Sequence, residues 1–248
     1  LVDPLSTPVA RALTPRALED KINMVTAFSG RSDAADGTVF PYVFPLSPNY
    51  WTQAGLPIEY FKQQDGGSLD GKTICFVHID TPFGKEPLPV LEALAAKEGF
   101  KLQAFPYTPP GNDQSAIWPQ VRRARPDWTM FWGAGVGQTV ALTEAARNGL
   151  DMNRVSSSVW LSESDMDVVG RDQTVGVLKF EPCVSGREPQ VIQEILTEVV
   201  GAGKGAGPED KVGTSYYNYG VMLAALMLEG VRRAAEIAPD GPVNGEWL

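Results

Sequence analysis

The chain has 248 residues, and 21 Lys and Arg against 30 Asp and Glu give a net charge of −9. That acidity argues against a track for nucleic-acid phosphates, which needs clustered positive charge, while 43% apolar and 21% charged residues are the balance of an ordinary soluble globular chain. A single His excludes a zinc site of two or three His, two Cys exclude a disulfide-stapled scaffold, and no uncharged apolar run is long enough to span a bilayer.

Length suggests one large domain or two lobes. The chain opens Leu1-Val2-Asp3-Pro4, with neither an initiator Met nor a charged-then-apolar export signal in view. Residues 3–8 read as a loop feeding a helix. Ser6 or Thr7 supplies the N-cap, and Pro8 suits the first helical position, where its missing N–H would be unpaired anyway. Val9, Leu13, Ala17 and Leu18 keep helical spacing. Residues 22–27 predict a short strand, then a turn-rich stretch, and residues 40–44 a second strand ended by Pro45. From Pro48 the pattern is more regular: helix 51–63, strand 73–79, and helix 87–98 with Leu88, Leu91, Leu94 and Ala95 inward, closed by Gly99. Strand 102–105 follows, then a helix capped by Asp113, strand 127–132, helix 138–148 and strand 155–161. Strand 175–180, an amphipathic helix 191–200, a Gly-rich connector 201–208 and a long helix 213–237 complete the chain. Apolar strands alternating with helices predict an α/β architecture, a parallel sheet covered on both faces. The middle of the chain holds a complete unit, while each end holds part of another.

Few segments carry chemistry. Gly133 to Gly137 stands between strand and helix, where dinucleotide enzymes place G-x-G-x-x-G, but the third Gly falls on Gln138, so it reads as a turn bordering a cleft. Residues 201–205 follow a helix rather than a strand and read as a linker. Arg122, Arg123 and Arg125 mark a solvated helix face. Glu163, Asp165 and Asp167 offer too few oxygen ligands for a cation, with Val168 where a calcium loop would want Gly, so no metal and no cofactor is expected. Glu163, nearest the strand end, is placed to meet a ligand ammonium. His78 lacks a convincing nucleophile and reads as a satisfied cleft or core residue, and Cys75 as a small buried hydrophobe not paired with Cys183. At Ser6-Thr7-Pro8 a helix start turns unpaired N–H groups and the positive end of its dipole outward beside a hydroxyl. That suits a bound carboxylate as well as simple capping.

In their order and spacing, several segments together resemble the type I periplasmic solute-binding proteins, the branched-chain amino acid (Leu/Ile/Val-binding) family of ABC importers. They are Asp3-Pro-Leu-Ser-Thr-Pro-Val-Ala10, Met24-Val-Thr-Ala-Phe-Ser-Gly30, Phe40-Pro-Tyr-Val-Phe-Pro45, Val77-His-Ile-Asp-Thr-Pro-Phe-Gly-Lys-Glu86, Asn112-Asp-Gln-Ser-Ala116, Pro126-Asp-Trp-Thr-Met-Phe131 and Tyr217-Asn-Tyr-Gly220. Ser29-Gly-Arg-Ser-Asp33 and Phe83-Gly-Lys-Glu-Pro87 look like a subgroup in which some members take aromatic or other organic acids.

The resemblance implies two α/β lobes, each a mostly parallel sheet flanked by helices, joined by crossing strands near Pro45-Leu46 and Glu181-Pro182. Lobe one would be residues 1–46 plus 182–248 and only partial, and lobe two residues 47–181. Carried over, the carboxylate-holding hydroxyl matches Ser6, with Thr7 beside it, and a second loop matches Ala27, Phe28, Ser29 and Gly30. The aromatic wall matches Phe83, a further aromatic is replaced by Gly135 or Val136, and the acidic partner of an ammonium matches Glu163. Arg31, if it faces the cleft, could hold a second carboxylate. The expectation is a non-enzymatic, monomeric binding protein in the periplasm, or extracellular and membrane-attached. It would bind a small carboxylate-bearing solute, a branched-chain or other hydrophobic amino acid, and deliver it to an ABC permease. The alternatives are an aromatic or other organic acid as ligand, and a ligand-sensing receptor domain of the same fold.

Overall fold

The computed structural model describes residues 6–26, 30–46 and 48–237. Helix α1 (Thr7–Glu19) begins where the sequence predicts, with Pro8 in its first turn, but Ser6 makes no side-chain cap and holds φ at 103°. A side chain at positive φ is strained, so Ser6 is held there by its surroundings rather than by preference. Strands β1 (Met24–Thr26) and β2 (Val43–Pro45) pair in parallel, Met24 opposite Val43, over a small core of Ala17, Met24, Ala34 and Val43.

The central unit is a five-stranded, wholly parallel sheet of order β4-β3-β5-β6-β7, built from β3 (Thr73–Ile79), β4 (Lys101–Tyr107), β5 (Trp128–Trp132), β6 (Val155–Ser157) and β7 (Leu178–Lys179). Side chains alternate across it. Ile74, Phe76, Met130 and Trp132 meet one core, with Ala54, Ile58 and Phe61 of α2 (Tyr50–Gln64) and Leu91 of α4 (Leu88–Glu98). Cys75, Val77 and Phe131 meet the other, with Trp118 and Val121 of α5 (Trp118–Ala124) and Ala141 and Ala145 of α6 (Val136–Arg147). Burial on both faces explains why β3 and β5 read as unbroken apolar runs instead of alternating. The free Cys75 thiol sits in the second core, where burial pushes its pKa up to about 12, so it is an inert hydrophobe.

Asp65, just after α2, ties together the starts of the sheet's middle strands. Its carboxylate, 6% exposed, accepts from Arg154 (2.7 Å) and from Trp128 Nε1 (2.9 Å), with Lys72 at 3.7 Å, and the Arg154 guanidinium lies 4.3 Å from the Trp128 ring centre. Burial works to raise its pKa, but the hydrogen bonds and cations outweigh that and hold it below the ordinary carboxylate value.

Four expected elements differ. The helix expected from Asp113 starts five residues later, because Asp113 instead closes a turn, accepting from the Ser115 N–H (3.0 Å) and hydroxyl (2.6 Å). Strand 155–161 stops at Ser157, since Val159 leaves the sheet to pack on Tyr219. Strand 175–180 is only β7, preceded by the short helices α7 (Glu163–Val169) and α8 (Arg171–Thr174). Helix 191–200 divides into α9 (Gln190–Ile195) and a π-helical turn, Leu196–Val200. The long helix α10 (Ser215–Ile237) closes the described chain. A four-residue helix, α3 (Pro82–Lys85), sits on the end of β3, capped by Thr81.

Candidate functional site

Ligands in open parallel sheets gather beyond the C-terminal ends of the strands, and a cleft of about 270 Å³ opens there. One side is the start of α1: Ser6, Thr7 and Pro8. The other side is Tyr50 at the start of α2, Thr81 and Phe83 around α3, Ala134 after β5, and Trp160 beyond β6. Each wall therefore belongs to an element boundary, where side chains are free of the packing that occupies strand interiors.

The floor is aromatic. Tyr50 stands edge-on to Phe83, ring centres 5.2 Å apart, and edge-on to Trp132 at 5.9 Å; Phe83 in turn meets Trp132 at 5.9 Å and Trp160, edge-on, at 6.3 Å. Opposite them, the first turn of α1 has N–H groups without intrahelical partners. Thr7, 2% exposed, carries a buried hydroxyl with no hydrogen-bond partner among the described residues. An unpaired buried hydroxyl is costly, and it sits beside the Ser6 backbone strain. The start of α1 thus turns hydrogen-bond donors toward this side of the cleft.

Ser6, Thr7 and Phe83, three of the residues expected at the site, thus share one cleft. Ala27, Phe28 and Ser29 lie outside the described residues. Gly30 does not line the cleft: its carbonyl accepts the Tyr50 N–H at 2.6 Å, and a Cβ on it would stand 3.0 Å from the Pro48 carbonyl, so it serves the close packing of the α2 start. Gly135 and Val136 are also displaced from the wall, where Ala134 stands instead. Gly135 takes φ 61° to turn the chain into α6, which leaves Val136 exposed on the helix's outer side. Gly133 and Gly137 have a packing task, because a Cβ on either would strike the Tyr107 hydroxyl, at 2.1 and 2.9 Å.

Glu163 is engaged elsewhere. It begins α7, and its Oε1 accepts from the Ser215 N–H (3.0 Å) and lies 2.6 Å from the Ser215 hydroxyl, at the N-terminus of α10. That hydroxyl also meets Glu181 and Lys179, each at 2.8 Å. Burial works to raise the Glu163 pKa, but Ser215 and Lys179 hold it below the usual value, so the carboxylate is ionised and capping a helix. Arg31 does not face the cleft: it is 5% exposed, grips Asp33 through Nε (2.9 Å) and Nη2 (3.0 Å), and donates to the Thr14 hydroxyl at 2.9 Å. His78 is 2% exposed, stacked on Phe76 and within 3.1 Å of the Ile79 carbonyl, and burial lowers its pKa, so it is a neutral core residue. Asp165 caps α7 with Ser162, Asp167 pairs with Arg171, and no cluster of potential metal ligands occurs among the described residues.

Sequence reasoning missed Tyr50, Thr81 and Trp160, and it placed the Gly133–Gly137 turn at a cleft while singling out Gly135 and Val136 instead of Ala134. Thr81-Pro82, a capping residue before a Pro, was a usable signal for a helix start at a strand end; Tyr50 and Trp160 carry no local mark, since only the fold brings them together.

The sequence matches the model of the periplasmic binding protein family over residues 1–246. No curated protein matches it. Among solved structures, one described as an ABC transporter permease from the Pseudomonas fluorescens group is 35% identical, with a TM-score of 0.92 over 99% of this chain and 60% of its own. A branched-chain amino acid ABC transporter protein from Thermus thermophilus with bound valine gives 20% identity and TM-score 0.78, over 98% of this chain and 61% of its own. A fatty acid ABC transporter substrate-binding protein from Thermomonospora curvata gives 14% and 0.77, over 93% and 57%. The chain thus spans about 60% of the length of these relatives. Among the described residues, no helix is long and apolar enough to cross a membrane. With an α/β architecture of parallel sheets flanked by helices and a family match along nearly its whole length, the chain belongs to the periplasmic binding protein family.

Proposed function

We propose that this chain is the solute-binding component of an ABC importer, working outside the cytoplasmic membrane, and that its ligand is a small apolar monocarboxylate without an α-ammonium. One observation carries the reading. The described residues lining the cleft supply hydroxyls and aromatic rings but no charged side chain, and the Glu163 carboxylate that would meet an ammonium is spent on Ser215. An ammonium taken from water into such a cleft would lose its hydration without gaining a counter-charge. A carboxylate finds the start of α1 and the unpaired Thr7 hydroxyl. The valine and fatty acid in the names of the two distant relatives share a carboxylate on an apolar body. The volume, about 270 Å³, lies just below the range of roughly 300–1,000 Å³ for ligand cavities, which favours a compact acid over a long acyl chain.

Lobe one, residues 1–46 with 182–248, would bring Ser6 and Thr7, and lobe two, residues 47–181, would bring the aromatic wall. A ligand touching both stabilises the closed form by its differential affinity, and the permease reads that form. The test is a thermal-shift and calorimetric panel of benzoate, phenylacetate and cyclohexanecarboxylate against leucine, valine and phenylalanine. Stabilisation by the simple acids alone is expected. Stabilisation by the amino acids alone would reinstate an amino-acid receptor and overturn this choice of ligand.

A further inference from the structure

Trp160 stands in a segment with no regular structure between β6 and α7, yet it forms a wall of the cleft, edge-on to Phe83 at an interplanar angle of 87°. A residue in such a segment has no sheet or helix ladder to hold its backbone. Besides its own N–H donating to the Ser158 hydroxyl at 3.4 Å, its backbone is held by two side-chain donors from separate elements, both on its carbonyl. Gln138 of α6 donates through Nε2 at 2.6 Å, and the Tyr216 hydroxyl of α10 donates from the other direction. Gln138 is 2% exposed and reaches Asp165 with the same nitrogen at 3.3 Å, so its NH2 group is shared between two acceptors, while its Oε1 has no partner among the described residues. This gives a use to the residue standing where a dinucleotide motif would carry its third glycine. Tyr216 adjoins Ser215, whose N–H and hydroxyl engage Glu163 three residues beyond Trp160.

We propose that Trp160 is the specificity-determining residue of the cleft, selecting carboxylates that carry an aromatic ring, and that Gln138 and Tyr216 are positioning residues that set its ring by pinning its carbonyl. The proposal rests on the monocarboxylate reading and deepens it. Rings meeting edge to face at 4.5–7 Å gain on a saturated body of equal size, because the positive ring edge meets the negative face. Phe83 and Trp160 stand at about that spacing from each other, with Tyr50 alongside. The saturated analogue keeps the carboxylate and the apolar area and loses only the ring electrostatics.

The experiment is a titration of benzoate and cyclohexanecarboxylate into wild-type protein and the W160L, W160F, Y216F and Q138M variants, followed by calorimetry and tryptophan emission. Unliganded circular dichroism checks that each variant is folded. Wild type is expected to prefer benzoate by roughly 2- to 13-fold, the range of one aromatic pair. W160L brings the ratio close to one while still binding cyclohexanecarboxylate, and W160F, which keeps a ring, retains most of the preference. Y216F and Q138M lower the ratio with Trp160 still present and shift the emission maximum of the unliganded protein; either suffices should the other not fold. Equal binding of both acids by wild type refutes the ring selection and leaves the monocarboxylate reading standing, whereas binding of neither acid removes both. An unchanged ratio in W160L refutes Trp160 as the selecting residue, and an unchanged ratio and emission in Y216F and Q138M refute the positioning role.

Discussion

Replacing Thr7 by Val separates what the cleft costs the fold from what it gives the ligand. The two side chains have nearly the same shape and helix preference, so the change removes one oxygen. In the unliganded protein that oxygen is buried, 2% exposed as a residue, with no partner among the described residues. Its removal relieves a desolvation cost of about 1–2 kcal/mol. For a chain of this size each kcal/mol moves the midpoint by roughly 2–4 °C, so thermal unfolding without ligand is expected to rise by roughly 2–8 °C. The bound carboxylate, in contrast, loses a hydrogen bond to a charged group, worth about 1.5–3 kcal/mol, and calorimetry with benzoate is expected to show roughly 10- to 150-fold weaker binding. The two effects have opposite signs, which distinguishes a ligand-binding hydroxyl from one that merely supports α1. A lower midpoint together with unchanged affinity would refute the reasoning.

Three other outcomes follow from the same structure. A Cβ on Gly84 would stand 1.8 Å from the Ile79 carbonyl oxygen, so Gly84→Ala forces α3, and with it Phe83, off the end of β3; a loss of about 1–3 kcal/mol in denaturant unfolding, with weaker ligand binding, is expected. Asp65→Ala takes the partner from Arg154, whose side chain is 39% exposed, and leaves the Trp128 N–H without its acceptor; it is expected to cost about 1–3 kcal/mol without changing affinity per folded molecule, measured by urea unfolding and calorimetry. Glu86 is the pH-sensitive case. Its carboxylate, 7% exposed, accepts the Ser32 N–H at 2.6 Å with Arg11 only at 3.8 Å, and burial raises its pKa above the ordinary value. The folded state therefore holds this proton more tightly than the unfolded one. The stability it contributes is full below the unfolded value of about 4.5 and lost as pH rises through the folded value. Glu86→Gln, neutral at every pH, is expected to raise the midpoint at pH 7 and to make no difference at pH 4; equal effects at both would contradict the assignment.

The architecture was legible in the order of the residues, because period and punctuation are local physics. β3 falls on residues 73–79, and α4 ends at Gly99 with φ 80°, since unbroken apolar runs and a C-terminal glycine mean the same thing in any doubly covered sheet. The helix start at Ser6 and Thr7 was legible too, because a capping residue before a proline carries its own signature, whereas Phe83 came only from the family resemblance. Positions decided by competition between alternative partners, near or far along the chain, were not legible. Asp113 chose Ser115 over a helix, Val159 left its strand for Tyr219, and Arg31 found Asp33 and Thr14 instead of the cleft. Glu163 shows the reason most plainly. A carboxylate at a strand end has the right chemistry for an ammonium, but it goes to whichever positive group the fold brings nearest, and here that is the N-terminus of α10, 52 residues away along the chain. Spacing records which groups a segment offers; only tertiary structure, which sets the distances on which electrostatics depends, decides who receives them.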